Sequence, residues 1–528
     1  MSIIDLAQAN TTSEFHCDLL VVGAGVAGLV IADRFRFAGF TVDILETGGL
    51  TYEQTSHDMN DAEMAGKYHA GTKDGRFRMY GGSTSRWGAQ LLTMMPSDFE
   101  LKTHIPNTGW PLSSSDLSPY LHAAELLLGV DHLSYCSDLQ NYLSSPVPPL
   151  SEPGLQYRFS KRAGYRYRNM ARTLGKKCID DKNTRVFLHA TATNIFTDES
   201  GSSVSYVQVR AANGKAFRFH GKQVVLAAGS IEICRLLLAS SSVHSNGIGN
   251  SSGHLGRWFH DHLAVNAAIL CPKDREKFLN MISPWYLENT RHNLKFSTTA
   301  AWQARNKVTN ISGQILFEYK SSSLFAWLSH QVHSYKFGFA PHCLRSVPLL
   351  TSSAEIFDIF YLIWMRLAAR RLWCPKTANI MLRIDSEQCP TPDNRITLSR
   401  NFDVLGMPKA VIHWHWGECE RRSFAAYKQL FAAQWKAWNL GELTWLVDFD
   451  ESSDWEKHAI DSYHIMGGTR MSKNPNSGVV DSDLAVHGIA NLSIASLSVF
   501  PTGGSANPTL TLMMLALRLA DRLKSDMR

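Results

Sequence analysis

The sequence has little that would place the chain in a membrane or on a nucleic acid. No apolar stretch in its 528 residues approaches the roughly 18 residues needed to span a bilayer. The opening residues 1–20 lack a basic region followed by an apolar run, so we expect no secretory signal. The net charge of +6 is only mildly basic, and Lys and Arg are dispersed along the chain. We therefore expect a cytoplasmic protein without a nucleic-acid partner.

Motifs for disulfides and metals are also missing. The nine cysteines are widely spread and include no CxxC pair, which predicts reduced, mostly buried thiols and neither zinc nor an iron–sulfur cluster. His413 and His415 alternate with two tryptophans, which places both histidines on one face of a strand. Two histidines at that spacing could bind a metal. Because no third ligand is evident, we predict no metal site.

Length and composition indicate a folded chain of two domains. A single core rarely serves 528 residues, so two closely packed domains are expected. The hydrophobic fraction of 44% and the charged fraction of 19% are typical of a globular protein.

The first recognisable unit is a strand, a glycine turn, a helix and a second strand. Residues 18–22 form a buried-strand pattern, a helical pattern runs to Gly39, and a second strand ends at Glu46. Glycines in such a turn let a pyrophosphate approach the helix N-terminus, and the acid can hold a ribose hydroxyl. The loop alone does not choose between FAD and NAD. The loop residues that we predict to bind the dinucleotide are Gly23, Gly25, Val26, Ala27 and Gly28.

A second glycine-rich loop follows at residues 79–88. Its small residues would let the backbone approach a flat ring, with Trp87 covering that ring. An ordinary glycine loop beside a core tryptophan is the alternative. The predicted cofactor contacts in this loop are Gly81, Gly82, Ser83, Ser85, Trp87 and Gly88.

Residues 185–225 change to alternating patterns around the turn Asn213-Gly214. This is typical of an antiparallel ribbon, here inserted into the nucleotide-binding domain. The ribbon returns as a buried strand that ends at Ala228 and Gly229, and both residues are predicted to pack beside the dinucleotide.

Residues from about 270 to 460 are rich in aromatics and lack a nucleotide fingerprint, so they are expected to form a substrate domain. Within them, 355–373 is an apolar helical pattern that ends with Arg366, Arg370 and Arg371. Such a helix could touch a membrane surface or cover the active site. We favour an internal or lid helix, since no second membrane signal accompanies it.

The C-terminal tail holds the residues with the clearest chemistry. His464 lies in the glycine-rich stretch 462–471, and Asn507 precedes Pro508 and Thr509 at the start of an apolar helix. A core histidine beside a glycine turn and a plain helix N-cap are the alternative interpretations.

Taken together and in order, these motifs resemble the glucose-methanol-choline (GMC) oxidoreductase family over nearly the whole chain. Further segments that appear in family order are 227–232, 249–250, 256–257, 261–262, 390–395, 478–481 and 491–502.

The resemblance implies an FAD enzyme that oxidises an alcohol, with O2 or a redox partner as electron acceptor. It places His464 at the position of the base that takes the hydroxyl proton. Asn507 stands where the family has His or Asn, and an amide there would orient the substrate oxygen. The helix that starts at Pro508 and Thr509 would point its positive end at the flavin.

Two positions depart from parts of the family. Some members attach FAD through a histidine just before the loop tryptophan, where this chain has Arg86, so we predict non-covalent FAD. Many members have an acid after the last strand, where this chain has Ser496 as the expected cofactor contact. The residue pattern of the tail is most similar to that of bacterial members acting on sugars, glycosides, cyclitols or secondary metabolites. Desaturation, cyclisation or isomerisation of an apolar substrate in specialised metabolism is the alternative.

The predicted fold class is α/β. A Rossmann-like FAD-binding domain with the inserted ribbon is expected from residues 15–95, 180–265 and 472–528. A substrate domain built on an antiparallel sheet with helices is expected from residues 96–179 and 266–471.

Overall fold

The computed structural model describes residues 3–8, 13–318, 353–375 and 378–528. The strands are β1 (Ile3–Asp5), β2 (Glu14–Val22), β3 (Val42–Leu45), β4 (Ala62–Met64), β5 (Gln90–Leu91), β6 (Leu155–Arg162), β7 (Thr184–Leu188), β8 (Ala190–Thr197), β9 (Val204–Ala211), β10 (Ala216–Leu226), β11 (His262–Pro272), β12 (Trp285–Leu287), β13 (Thr290–Thr298), β14 (Ile311–Glu318), β15 (Asn379–Glu387), β16 (Arg395–Phe402), β17 (Pro408–His413), β18 (Gly441–Trp445), β19 (Ile460–Asp461) and β20 (Leu492–Ile494). The α-helices are α1 (Val26–Phe35), α2 (Gln54–Asp58), α3 (Pro96–Phe99), α4 (Ser114–Leu117), α5 (Leu121–Leu128), α6 (Tyr165–Arg168), α7 (Leu174–Asp180), α8 (Ser230–Ala239), α9 (Arg275–Ile282), α10 (Ala300–Asn306), α11 (Ser353–Leu367), α12 (Glu418–Trp438) and α13 (Thr509–Asp526).

The first sheet is mostly parallel and carries the nucleotide-binding unit. Its order is β1-β7-β3-β2-β10-β9-β8, and β20 pairs with the end of β10. The neighbouring strands β1, β7, β3, β2 and β10 run parallel to one another, and β20 runs parallel to β10. Strand β9 is antiparallel to β10, and β8 is antiparallel to β9. The predicted Rossmann-like sheet with an inserted antiparallel ribbon is therefore confirmed. In β2, residues 19–22 are fully or almost fully buried, as their continuous apolar run predicts for a strand covered on both faces.

The second sheet is antiparallel and has nine strands in the described part of the chain. Its order is β18-β11-β15-β14-β13-β6-β5, with β12 beside β13 and β19 beside β11. Helix α12 packs on β14 and β15 through buried aromatics, and the Tyr427 hydroxyl donates to the Phe296 carbonyl at 2.7 Å. The predicted antiparallel sheet with helices is confirmed. A smaller sheet has the order β16-β17-β4.

The two large sheets draw on interleaved parts of the chain. The parallel sheet uses strands up to residue 226 and β20, while the antiparallel sheet uses strands between residues 90 and 461. The division at residues 95, 179, 265 and 471 stays a prediction.

The expectation of reduced thiols is wrong for two cysteines. Cys389, after β15, and Cys419, in the first turn of α12, form a disulfide with their Cα atoms 6.5 Å apart. The two residues are 30 positions apart, so no short spacing motif marks the pair.

The predicted apolar helix at 355–373 forms but ends earlier. Helix α11 stops at Leu367, and Arg370 has a φ of 52°, which breaks the helical path. Phe360 and Leu367 are 68% and 73% exposed, so this part of the helix is not internal. In the described ranges no helix has the length and apolarity to span a membrane. Residues 319–352, which include part of the aromatic region noted above, lie outside the described residues.

Candidate active site

The first glycine loop lets β2, β10 and α1 approach one another closely. Gly23 has a φ of 106°, and a Cβ atom there would lie 2.8 Å from the Ala227 backbone. A Cβ atom at Gly28 would lie 2.0 Å from the Gly23 carbonyl oxygen. Side chains at these two positions would therefore push the strands and the helix apart, and α1 would no longer begin at the loop.

Glu46 closes this loop from the end of β3. Its carboxylate accepts hydrogen bonds from the backbone N–H groups of Ala24 and Gly48, both at 3.1 Å. Burial raises the pKa of Glu46 to about 7, against the lowering effect of these two hydrogen bonds. The predicted acid thus lies at the glycine turn and lines the same cavity as the loop.

The second glycine loop lies on the first one. Gly82 has a φ of 54°, and a Cβ atom there would lie 3.0 Å from the Gly25 Cα atom. Trp87 is held by a hydrogen bond from its indole N–H to the Arg168 carbonyl at 2.7 Å. The structure therefore brings together two loops that are more than fifty positions apart in the sequence.

A cavity of about 1180 Å³ runs from these loops to the antiparallel sheet. Most of the predicted site residues line it, namely Gly23, Gly25, Val26, Ala27, Glu46, Gly82, Ser83, Trp87, Gly88, Ala228, Gly229, His464, Ser496, Asn507 and Thr509. Four predicted residues do not line it, namely Gly28, Gly81, Ser85 and Pro508. Gly28 faces the Gly23 carbonyl, and the Ser85 hydroxyl donates to the Gly82 carbonyl at 2.9 Å. Pro508 occupies the N-cap position of α13, one residue later than the sequence predicts.

His464 and Asn507 meet in this cavity. The Asn507 amide nitrogen lies 3.4 Å from His464 Nε2, and the Asn507 amide oxygen is buried without a partner among the described residues. On its other side, His464 Nδ1 lies 2.9 Å from Nδ1 of His262, the first residue of β11. Burial, and then the neighbouring His262, lowers the pKa of His464 to about 3. His464 is therefore neutral at physiological pH.

These contacts select one tautomer of His464. With the Asn507 amide nitrogen turned toward the ring, this contact is a hydrogen bond only when His464 Nε2 carries a lone pair. The ring proton then lies on His464 Nδ1 and is donated to His262 Nδ1. The proton of neutral His262 consequently lies on its Nε2 atom. In this state His464 presents a proton acceptor beside Asn507.

A buried acid that sequence reasoning missed positions the His464 backbone. Both carboxylate oxygens of Asp261 lie 3.0 Å from the His464 N–H. Asp261 Oδ2 also lies 3.1 Å from Nε2 of the buried His69, whose Nδ1 lies 3.5 Å from Asp461. The His69 contacts lower the pKa of Asp261 against the effect of its burial. The only sequence signal for this acid is the Asp261-His262 pair, which belongs to one of the family segments.

A buried ion cluster beside the cofactor loops was also missed. Glu232, near the start of α8, accepts a hydrogen bond from Arg76 at 2.8 Å, forms an ion pair with Arg78 at 2.8 Å and lies 3.2 Å from Arg235. These arginines hold the pKa of the Glu232 carboxylate well below its usual range despite burial. Arg76, Arg78 and Glu232 line the cavity near the first glycine loop.

The residues present fit an FAD molecule. The glycine cradle leaves the N-terminus of α1 open to a pyrophosphate, and the N-terminus of α13 reaches the same cavity at Thr509. Between these two helix ends the cavity is lined by backbone of both glycine loops, which leaves room for a flat ring system.

Comparison with known proteins gives a family match for the C-terminal part of the chain. The family model of GMC oxidoreductases matches residues 390–516. Over these residues the chain is similar to the GMC oxidoreductase family. The match covers His464 and Asn507.

The chain is also similar to two bacterial proteins over almost its full length. It is 22% identical to the fructose dehydrogenase large subunit of Gluconobacter japonicus, covering 97% of this chain and 98% of that protein. It is 24% identical to paromamine 6'-oxidase of Streptomyces fradiae, covering 97% and 92%.

Solved structures show the same fold. Aspergillus oryzae formate oxidase superposes with a TM-score of 0.55 at 17% identity, covering 98% of this chain and 99% of that one. Pyridoxine 4-oxidase from Mesorbium loti superposes with a TM-score of 0.54 at 15% identity, covering 96% and 99%.

Proposed function

We propose that this protein is a GMC oxidoreductase that oxidises a CH–OH group of a sugar, glycoside, cyclitol or secondary-metabolite alcohol, with His464 as base and Asn507 as orienting amide. The observation that carries the proposal is the pairing of these two side chains. His464 Nε2 carries a lone pair, the Asn507 amide lies 3.4 Å away, and both face the cavity lined by the glycine loops.

In this proposal the chain moves one proton, from the alcohol to His464. When bound, FAD supplies the acceptor for the hydride that leaves the carbon. His464 Nε2 takes the hydroxyl proton, so the alcohol becomes the matching aldehyde or ketone and His464 becomes an imidazolium. Asp261 and Asp385 both raise the pKa of His464, and so favour the charged ring that forms. The imidazolium must then lose its proton before the next turnover.

Asn507 is proposed to hold the substrate oxygen in line with His464. Its amide N–H can donate to the hydroxyl oxygen, and its buried amide oxygen has no partner among the described residues. A buried polar atom left unpaired costs about 1–3 kcal/mol, so the amide oxygen favours a second donor group on the substrate, because the reacting hydroxyl gives its only proton to His464. Oriented hydrogen bonding of this kind fixes the carbon hydrogen toward the flavin ring.

We propose that FAD is bound without a covalent link. Arg86 occupies the position of the attachment histidine, and its guanidinium stacks on Tyr52 at 4.2 Å and on Phe77 at 4.8 Å. These contacts hold the Arg86 side chain against two aromatic rings. A guanidinium is not a nucleophile that would attach the flavin.

The antiparallel sheet supports a hydrophilic substrate. Where β13, β14 and β15 line the cavity, they carry Lys295, Gln314, Arg383 and Asp385. Such groups can form hydrogen bonds with hydroxyl-rich alcohols. Two of the relatives are named for hydrophilic substrates, fructose and paromamine. The aromatic region that motivated an apolar substrate lies partly outside the described residues.

Anaerobic mixing with a panel of sugars, cyclitols and apolar alcohols tests the proposal. We expect hydrophilic alcohols to bleach the visible flavin absorbance and to yield the matching aldehyde or ketone. Bleaching by apolar alcohols alone, or a product with a new C=C bond, would contradict it.

A further inference from the structure

The substrate side of the cavity carries more positive than negative charge. Burial lowers the pKa of His262, which is neutral in its contact with His464. Three cations are therefore accompanied by two carboxylates. The ionisable residues that line the cavity from the described strands of the antiparallel sheet are Arg162, His262, Lys295, Arg383, Asp385 and Asp461.

One of the two carboxylates, Asp461, already accepts hydrogen bonds at the edge of the sheet. Its two oxygens accept from the backbone N–H groups of Ala70 and Gly71 at 3.0 and 2.8 Å. Its Oδ2 also lies 3.5 Å from His69 Nδ1. None of these partners is one of the three cations. Asp385 is therefore the carboxylate available to pair with them.

Asp385 is itself already shared. Its Oδ1 accepts from Arg383 Nε and its Oδ2 accepts from the Gln314 amide, both at 2.9 Å. Lys295 Nζ lies 3.9 Å from Asp385 Oδ2, which is too far for a hydrogen bond. The Lys295 residue is only 2% exposed, and its ammonium has no hydrogen bond to another described residue. A buried ammonium in this state favours an anionic partner from the cavity.

Lys295 lines the same cavity as the proposed base. Burial and His262 dominate the lowering of the His464 pKa, and the charge of Lys295 adds to it. Arg383, which is bound to Asp385, also donates to the Ser462 hydroxyl at 3.2 Å, two residues before His464. An anionic group bound at Lys295 would thus lie on the same small molecule as a hydroxyl group at His464.

Arg162 extends the positive wall away from His464. Its Nη2 donates to the Gln90 amide oxygen at 3.4 Å, and the Gln90 amide donates to Gln314 at 3.3 Å. Arg162 forms no ion pair with any described residue, and its Nε is buried without a partner. Its cross-strand neighbour on β13 is Arg291, a second cation. Like charges placed opposite each other destabilise a sheet, and an anion in the cavity would offset this repulsion.

We propose that the alcohol oxidised at His464 also carries a carboxylate group, which binds Lys295, so that the substrate is a hydroxy acid rather than a neutral or amino alcohol. The inference rests on the proposed function and names the substrate class of the same site. A cationic alcohol would meet the three cations of the wall, and a neutral one would leave the Lys295 ammonium without an anionic partner.

Two trios of similar molecules that differ in charge test the inference on the holoenzyme. One trio is glucuronate, glucose and glucosamine, and the smaller trio is lactate, 1,2-propanediol and 1-amino-2-propanol. Binding is measured from the perturbation of the visible flavin spectrum, which needs no turnover, and reduction is measured separately under anaerobic conditions. We expect the anion of at least one trio to bind about 10- to 100-fold more tightly than its neutral and cationic partners, as charge-assisted hydrogen bonds do.

Lys295→Gln should abolish that preference, since the charge-assisted contact is lost. Lys222→Gln is the matched control, because Lys222 is 77% exposed and pairs with Asp18 away from the cavity. Flavin content and the far-ultraviolet spectrum show whether the variants fold. Equal binding within both trios, tighter binding of the amines, no binding of either anion, or a preference retained in Lys295→Gln would overturn the inference. Reduction by the neutral members alone would do so while leaving the proposed function intact, whereas anion binding without any alcohol oxidation would overturn the proposed function alone.

Discussion

His262 and His464 face each other through their Nδ1 atoms at 2.9 Å, so only one of the two rings carries a proton at this contact. For His464 to act as a base at Nε2, His262 must accept the proton on His464 Nδ1. His262 is therefore proposed as a positioning residue that selects the productive tautomer of the base.

Replacing His262 separates this role from simple packing. His262→Ala leaves the buried His464 Nδ1–H without an acceptor and should slow flavin reduction about tenfold or more. His262→Asn can place an amide oxygen at the former Nδ1 position and should recover most of the rate. Stopped-flow reduction rates over a pH series give the comparison. Equal rates for the Ala and Asn variants would refute the assignment of His262 as the acceptor.

Removal of the proposed base should impair chemistry and leave cofactor binding intact. General base catalysis contributes typically 10²- to 10⁴-fold, so His464→Ala should lower kcat by about that factor with full flavin content. The exposed His458 lies six positions earlier and does not line the cavity, so His458→Ala is a matched control. A His464→Ala enzyme with wild-type kcat would end the proposed mechanism.

Asn507 should tolerate histidine better than an apolar side chain. Histidine can donate to the substrate oxygen from a ring nitrogen, whereas Asn507→Leu leaves that oxygen without a donor. We expect Asn507→Leu to lose about 10- to 100-fold in kcat/KM and Asn507→His to lose much less. Steady-state kinetics with one substrate measure both. Similar losses in the two variants would point to a packing role of Asn507 instead of an orienting one.

Sequence reasoning located what depends on neighbours along the chain. The loop at Gly23 and the acid at Glu46 belong to one unit of fewer than thirty residues, so its strand, turn and helix patterns report on each other. The contacts of His69 with Asp261 and Asp461 join segments 192 and 392 positions apart, and no local periodicity marks them. The tautomer of His464 likewise depends on two side chains from distant elements, which only the packed structure brings into contact.

The flavin should separate from the protein on acid precipitation. Arg86 replaces the attachment histidine and stacks on Tyr52 and Phe77, so no protein atom there is expected to form a bond to the ring. We expect the yellow colour in the supernatant, with a mass equal to that of unmodified FAD. Colour that stays in the washed pellet would exclude non-covalent binding.

Acidification should destabilise the protein through its buried neutral histidines. Burial lowers the pKa of His260 to about 4, from 6.5 in an unfolded chain. Below pH 6.5 the unfolded chain therefore binds a proton that the folded protein does not bind until about pH 4. The His260 contribution to the free energy of unfolding should fall by roughly 3 kcal/mol across that window, and remain constant above it.

Glu46 has the opposite effect on the pH dependence of stability. A variant of His260 is therefore needed to isolate the His260 contribution. Its raised pKa of about 7 means that folding favours its protonated form, so stability from this group increases as the pH falls from 7. His260 Nδ1 lies 2.8 Å from the Trp258 carbonyl, and His260→Asn can keep that hydrogen bond without a titrating ring. Urea unfolding of the holoenzyme between pH 4 and pH 8 should show a shallower loss of stability on acidification in His260→Asn than in the wild type. Parallel curves for the two proteins would show that His260 takes up no proton on unfolding, and that the acid sensitivity arises from other groups.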